Sequence, residues 1–599
     1  MLQAIQLKIH VRRLNWPDQF TKLAPLNSSP QALRSPNIAR QWQTIISSPA
    51  MLLLAMPLLA MLLLTSQCLA EKPPNIIVIL ADDMGFSDLG SYGGEIHTPN
   101  IDQLAAQGVR FTAFYNTARC STTRASLLTG RYPHNVQMGH LAGSKFKDID
   151  GYRGQLDESI SILPEWLKDH HYKSYMLGKW HLADWSPDKI PAGNIEQLDN
   201  TPLKRGFDHF YGTLFGGNNY FDPKFLYQNH EPIKKLEPNF YYTDAISHEA
   251  VRNISAHRAN HSNRPFFLYL AYTAPHWPLQ APAETIDKYR EVYSIGWDEL
   301  RQKRLSRAKE QAIVPLDLAL ASLDEGTPPW TKVENKAWFI EKMAVHAAMV
   351  EHLDRGVGQV LDALRAQGEL DNTVIMVMSD NGASAENFFE MPDWKRFLGS
   401  PFFDTFIGKY QPASGEAYSL GSGKDLMPGP INHFQMLGRE WAQASNTPFK
   451  KYKTWVHEGG IASPLIVHWP RGLKERAGTM ISEPAHVIDI MPTIISIVSG
   501  QPDLIQDGVN LLPAINGQAL PARLLFFEHE GYRAVRSASW KLVAKQAGLW
   551  ELYNIQVDRS ERNNVAAHFP ERVLNMETEY ERYARDNKVK DWSKITSWP

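Results

Sequence analysis

The chain has 599 residues, 43% of them hydrophobic and 21% charged, which is ordinary for a globular protein and allows one large domain with a smaller one. Its 62 Lys and Arg nearly balance 64 Asp and Glu, which excludes a global field able to gather nucleic acid or an acidic membrane, so anion binding must come from local clusters. Two cysteines, Cys68 and Cys120, exclude a disulfide framework and a multi-cysteine metal site.

Residues 1–50 carry Arg12, Arg13, Arg34 and Arg40 ahead of an apolar run over 51–64 that is broken mainly by Pro57. The run is short for a membrane span and long enough for a signal-peptide core, with small Ala70 as the last residue before cleavage. A mature chain in the bacterial periplasm or outside the cell, with no stable membrane span, is therefore expected. Gln67 is bulky where a small residue normally precedes a lipidated cysteine, so lipoprotein attachment at Cys68 is the secondary reading. Either residues 1–50 are a long charged leader or translation starts at Met51.

Beyond the leader, 75–81 (NIIVILA) is a continuous apolar run, the pattern of a strand buried on both faces of a parallel sheet, and it ends in Asp82-Asp83. Similar runs follow. Residues 172–177 lead into Gly178-Lys179-Trp180-His181, 266–272 into Thr273-Ala274-Pro275-His276, and 373–379 (TVIMVMS) into Asp380-Asn381-Gly382. Amphipathic stretches at 100–108, 158–171 (Ile160, Leu163 and Leu167 on one face) and 343–368 predict helices between them. The alternation implies a doubly wound α/β fold, whose ligands collect at the carboxyl ends of the strands. Past 506, strand-like runs at 524–528, 532–535 and 540–544 and a helix over 571–587 suggest a small C-terminal α+β subdomain. The expected division is thus 1–70, 71–505 and 506–599.

The strand-end residues carry the chemistry. Asp82, Asp83, Asp380 and Asn381 offer only oxygen, which suits a hard cation such as Ca2+ or Mg2+ better than zinc. One such pair after a strand more often caps a helix or starts a turn; two pairs at equivalent strand ends favour a cation. Lys179 and His181, two apart, would face one side of an extended segment. With Arg124, His276 and Lys453 they supply cations and proton-transfer groups suited to an anionic ester. This inventory does not separate sulfate from phosphate. Aromatic-rich 216–223 and the stretch 289–338 are expected to shape the pocket mouth, while His529, Glu530 and Arg533 either reach its rim or pack at the surface.

Cys120-Ser121-Thr122-Thr123-Arg124 followed by Leu127-Leu128-Thr129-Gly130 resembles the signature of the type I sulfatases, in which the cysteine is oxidised to formylglycine. Asp82-Asp83-Met84-Gly85, Gly178-Lys179-Trp180-His181, Ala274-Pro275-His276, Asp380-Asn381-Gly382 and Lys453 with Glu458-Gly459-Gly460 match further segments in the family's order. Residues 441–470 and the segment around Gly296-Trp297-Asp298 look most like the bacterial arylsulfatase branch of the alkaline phosphatase superfamily. One position departs: the family usually has proline where this chain has Thr122, within the stretch that the formylglycine-generating enzyme reads on the unfolded chain.

The resemblance implies an alkaline-phosphatase-like mixed sheet flanked by helices and hydrolysis of an aryl sulfate or sulfated carbohydrate. It also implies a hydrated formylglycine 120 that attacks sulfur through one hydroxyl and releases sulfate through the other. Asp82, Asp83, Asp380, Asn381 and residue 120 would hold the metal. Asp380 would also accept the nucleophile's proton, Arg124 and Lys179 would steady the diol, His181 would deprotonate its second hydroxyl, and His276 and Lys453 would bind sulfate and protonate the leaving oxygen. A phosphonate monoester or phosphodiester hydrolase of the same superfamily and a silent sulfated-glycan binder are the alternatives.

Overall fold

The computed structural model describes residues 72–144, 146–183, 193–387, 419–420, 426–501 and 507–595; the signal-peptide reading, with Cys68 and the cleavage point near Ala70, lies outside them. Seven strands build the main sheet: β1 (Asn75–Ala81), β2 (Val109–Tyr115), β3 (Lys173–Lys179), β4 (His209–Thr213), β5 (Phe266–Ala271), β6 (Thr373–Ser379) and β7 (Ala462–His468). Their spatial order is β2-β7-β6-β1-β5-β3-β4, extended at both edges by two-residue strands to eleven in all. Only β7 among the seven runs against its neighbours β2 and β6, so the sheet is mixed.

β1 lies centrally, with Ile79 between Leu270 of β5 and Val377 of β6. Ile77 and Ile79 belong to one hydrophobic core and Ile76, Val78 and Leu80 to another, which is why the strand reads as a continuous apolar run rather than an alternation. Helices that flank the sheet include α1 (Pro99–Gln107), α2 (Cys120–Thr129), α3 (Leu163–Asp169), α4 (Tyr242–Asn260), α5 (Gly296–Glu310), α6 (Lys336–Ala366) and α7 (Ile490–Ser499). α1, α4, α5 and α6 bury their apolar residues in the first core, and α2, α3 and α7 in the second, giving the expected helix layers on both faces.

Some boundaries differ from the sequence reading, for local reasons. The helix expected over 158–171 begins only at Leu163, because Pro164 fits the first turn and the Glu165 carboxylate accepts the Ile162 N–H at 2.9 Å. β2 was not expected: Arg110 and Thr112 interrupt its apolar pattern, and the Arg110 side chain donates to the Ser91 carbonyl at 2.9 Å.

A second sheet follows near the C-terminus, antiparallel in the order β8 (Leu525–His529), β9 (Tyr532–Arg536), β10 (Trp540–Ala544), β11 (Glu551–Asn554), with helix α8 (Pro570–Asp586) on one face. Its period of two is visible in the packing. Phe527, Ala534, Val543 and Tyr553 join the first core of the main sheet, while Val535, Leu542 and Leu552 form a separate core with Met576, Tyr580 and Tyr583. Phe527 meets Tyr115 of β2 edge-on at 5.9 Å, and Phe526 stacks on Tyr583 at 4.4 Å. Each large apolar side chain so buried contributes about 2 kcal/mol.

A buried ion network joins this sheet to the loop before β7. Lys541 pairs with Glu458 at 3.0 Å and Glu561 at 2.9 Å; Arg559 pairs with Glu458 at 2.8 Å, and the Tyr115 hydroxyl donates to the same carboxylate at 2.8 Å.

Candidate active site

β1, β2, β3, β5 and β6 all end at one edge of the main sheet, and antiparallel β7 begins there. Every candidate residue from the sequence lies in the segments that leave or enter that edge. Asp82 and Asp83 follow β1, Cys120 and Arg124 follow β2, and Lys179 ends β3 with His181 just beyond it. His276 follows β5, Asp380 and Asn381 follow β6, and Lys453 lies in the loop before β7.

Cys120 is the first residue of α2 and is 2% exposed. Burial pushes its thiol up, against the downward pull of the Lys179 and Lys453 ammoniums. Its Sγ lies 3.4 Å from His181 Nδ1. One turn along α2, Arg124 is fully buried and gives Asp380 Oδ2 two hydrogen bonds, at 2.8 and 3.1 Å, and the Lys179 carbonyl a third at 2.7 Å. Thr122 fits the first turn: its hydroxyl donates to the Arg119 carbonyl at 2.8 Å and lies 2.6 Å from the Thr117 hydroxyl.

Asp82, Asp83 and Asp380 form a buried acidic floor. Lys179 pairs with Asp82; Lys453 reaches Asp83 at 2.9 Å; the Asp83 N–H donates to Asp380 Oδ1 at 3.3 Å, and the Asn381 amide donates to Asp83 Oδ1. Burial, together with mutual repulsion between carboxylates, pushes Asp82 well above the usual carboxylate range and Asp83 in the same direction. Two oxygen acceptors, Asp82 Oδ1 and Asn381 Oδ1, are buried without a hydrogen-bond partner. Crowded carboxylates and orphaned oxygens fit a hard cation. The ligand atoms of Asp82, Asp83 and His276 lie within 4.8 Å of one another, so one nitrogen joins the oxygen set that the sequence offered.

Both histidines are buried, and burial followed by the nearby Lys179 (for His181) and Lys453 (for His276) pushes each well below the usual imidazole range. His276 Nδ1–H donates to the Trp277 carbonyl at 2.8 Å, which leaves Nε2 facing Asp83 Oδ2 at 3.6 Å. His181 reaches the site by a different route from the one its spacing implied: β3 ends at Lys179, and His181 adopts φ 60°, so the pair does not share the face of an extended strand. Asp83 is likewise left-handed, at φ 67°, which an Asp tolerates better than most residues.

The loop before β7 is pinned by backbone contact. The Gly382 N–H donates to the Gly460 carbonyl at 3.1 Å and the Lys453 N–H to the Ala383 carbonyl at 3.2 Å. A Cβ on Gly382 would sit 1.9 Å from the Gly459 carbonyl oxygen, so only glycine allows this approach.

The 216–223 segment does line the site, since a Cβ on Gly216 would lie 3.1 Å from the His181 ring and one on Gly217 3.1 Å from the His276 ring. The 289–338 stretch meets the segment that carries Lys453, where Asp324 pairs with Lys451 at 2.7 Å and accepts from the Tyr452 hydroxyl at 2.9 Å. Its helix α5 lies elsewhere and packs against the loop after Asp83, where Arg304 pairs with Asp88 at 2.8 Å and Glu95 at 2.7 Å. Asp88, which also accepts from His346 at 2.9 Å, is held down to about 2 against its burial by His346 and Arg304. Glu530, in the turn between β8 and β9, pairs with His140 at 3.1 Å. Sequence reasoning missed Glu386 and Arg119, which pair at 2.8 Å; the position of Arg119 next to Cys120 was the one available signal.

The sulfatase family model matches residues 74–500, most of the chain. The protein belongs to the sulfatase family. It is 34% identical over 550 residues to an uncharacterized sulfatase of Schizosaccharomyces pombe, covering 85% of this chain and 93% of the relative. It is 31% identical over 454 residues to an arylsulfatase of Klebsiella aerogenes, covering 72% and 88%. Among solved structures, Ps i-CgsB in complex with k-i-k-neocarrahexaose aligns with TM-score 0.60 and 27% identity over 87% of this chain and 95% of that one. This sulfatase thus has relatives in both a yeast and a bacterium, and the matches do not single out the bacterial branch.

Proposed function

We propose that this sulfatase cleaves an aryl or carbohydrate sulfate ester to the free phenol or alcohol and sulfate, using a formylglycine derived from Cys120 and a Ca2+ or Mg2+ ion. The formylglycine would supply a hydrated aldehyde as nucleophile, and the cation would polarise oxygen. Asp82, Asp83, Asp380 and Asn381 would hold the cation through the crowded carboxylates and orphaned oxygens of the acidic floor, with residue 120 beside them.

The observation that carries this reading is the ring of buried cations on the strand-end carboxylates beside Cys120: Arg124, one turn along α2, pairs with Asp380 at 2.8 Å, Lys179 pairs with Asp82, and Lys453 reaches Asp83 at 2.9 Å. Such a ring stabilises charge on a sulfate group far better in a water-poor site than in bulk solvent. Arg124 and Lys179 would hold residue 120 in place. His181, 3.4 Å from Sγ and kept neutral by its surroundings, would take a proton there. Of the two groups near the leaving oxygen, His276 is driven neutral while Asp83 and Glu386 hold Lys453 charged despite its burial, so Lys453 would deliver the proton and His276 would orient the sulfate.

Thr122 is satisfied in the folded chain, so its consequence would fall on maturation by the formylglycine-generating enzyme rather than on stability. Export after that maturation is part of the proposal, supported by the apolar run at 51–64. Among the described residues, no helix is long and apolar enough to cross a membrane. The arylsulfatase relative and the k-i-k-neocarrahexaose complex of Ps i-CgsB support an aryl or sugar sulfate as substrate.

The test compares aryl sulfate with aryl phosphonate esters, using wild type and Cys120→Ala. Sulfate turnover is expected to dominate and to fall about 10³-fold or more in the variant. Preferred phosphonate turnover, or full sulfate turnover by Cys120→Ala, would refute the proposal.

A further inference from the structure

Glu386 is absent from the sequence motifs, yet its carboxylate ties together three segments that carry groups of the proposed site. Oε1 pairs with Arg119 Nη1 at 2.8 Å, immediately before Cys120. Oε2 accepts from Trp277 Nε1 at 2.7 Å, immediately after His276, and from Lys453 Nζ at 3.4 Å. The Ser384 hydroxyl donates to the same oxygen at 3.2 Å. The carboxylate is about as exposed as the arginine, at 15% against 14%, so it sits at the inner edge of the mouth rather than in the core.

The surrounding backbone fixes this arrangement. Arg119 Nη1 also donates to Thr454 Oγ1 at 3.0 Å, and the Thr454 N–H donates to the Ala118 carbonyl at 2.9 Å. Thr454 adopts φ 80°, a region that β-branched residues avoid, and Ala118 is left-handed as well. Such conformations persist where neighbouring contacts over-determine them, and they cluster at functional sites. Lys453 is therefore suspended between Asp83 on the acidic floor and Glu386 at the rim. Once the Asp83 oxygens serve a cation, Glu386 is the carboxylate left to aim the ammonium.

Resting on the sulfatase reading above, we infer that Glu386 is a positioning residue that orients Lys453 toward the leaving oxygen and weakens the combined hold of Lys453 and Arg119 on the sulfate product. Its negative charge faces the same two cations that a sulfate group would meet. Neutralising it removes the one carboxylate that both cations share, so sulfate should bind more tightly while the lysine loses its aim. The cluster is held ionised at neutral pH: although burial opposes it, Lys453 and Arg119 keep Glu386 down at about 2.

The experiment measures kcat and KM for an aryl sulfate, direct binding of inorganic sulfate by calorimetry, and melting temperature for full-length wild type, Glu386→Gln and Glu386→Asp. For Glu386→Gln the expected result is sulfate affinity raised and KM lowered, each by about five- to tenfold, with kcat lowered about tenfold and the melting temperature kept. Glu386→Asp, which restores the charge, should return sulfate affinity toward wild type. Unchanged sulfate affinity in Glu386→Gln would overturn the inference, because a purely structural residue would change only the folded fraction. Weaker sulfate binding would overturn it in favour of direct substrate contact. The sulfatase reading fails separately, when wild type itself turns over no sulfate ester.

Discussion

The acidic floor of the site and the ion network under the C-terminal sheet are both buried and both built from carboxylates and cations, yet burial leaves them in opposite conditions. In the network, Glu458 is held down to about 2 against its burial by Lys541 and Arg559, and each of its oxygens has a partner. At the floor, Asp82 is pushed well up despite Lys179 and Arg124, because desolvation and Asp380 outweigh them, and its Oδ1 has no hydrogen-bond partner. What separates them is whether the cations outweigh burial and the repulsion of neighbouring carboxylates. The network, where cations overcome burial at Glu458, holds two parts of the fold together although Glu561 Oε1 and Arg559 Nη2 have no hydrogen-bond partner; the floor, where burial and repulsion win at Asp82, has capacity left for a cation.

The largest way to expose that difference is chelation. Treatment with EDTA should abolish sulfate turnover, by about 10³-fold or more, and added Ca2+ or Mg2+ should restore it, as read by a continuous aryl sulfate assay. Activity indifferent to chelation and to added ions would remove the floor's proposed role. Next comes Lys541→Met, which strands Glu458 and Glu561 without their shared ammonium; denaturant unfolding should show a loss of about 3–5 kcal/mol.

Asp82→Asn should act in the reverse sense. In chelated protein it removes a carboxylate that its surroundings disfavour, so the variant should be more stable than chelated wild type by about 1 kcal/mol while being inactive. A destabilised variant would mean that the Lys179–Asp82 pair outweighs the repulsion.

The smallest effect is the pH dependence of unfolding in chelated protein. Because Glu458 lies below its ordinary 4.5 in the folded state, its stabilisation is complete above about 4.5 and is lost as pH falls toward about 2. Asp82 lies above its ordinary 3.8, so its penalty is complete above the raised folded value and relieved as pH falls to 3.8. Glu458→Gln should flatten the acid limb, whereas Asp82→Asn should remove the relief that precedes it.

The floor was the more legible of the two clusters. Strands buried on both faces announce themselves as unbroken apolar runs, so β1 and β6 could be bounded at 75–81 and 373–379, and the polar residues at their ends fell at one sheet edge by topology alone. The network left no such trace. Lys541 sits in Trp540–Ala544, where alternation reads as an outward polar residue, yet it is fully buried because Glu458 and Glu561 arrive from two other segments. Glu386 was illegible for the same reason, since its partners belong to three loops that meet only in the folded chain. His181 was placed correctly by motif but for the wrong geometric reason, because its φ of 60° depends on how β3 ends.

The central claim is that the ring of cations at the strand edge acts on a modified residue 120. Mass spectrometry of the tryptic peptide carrying that residue, from sulfate-hydrolysing protein made in its native host, tests it most directly. The account predicts an aldehyde in place of the thiol despite Thr122; an unmodified thiol throughout such an active preparation would contradict it.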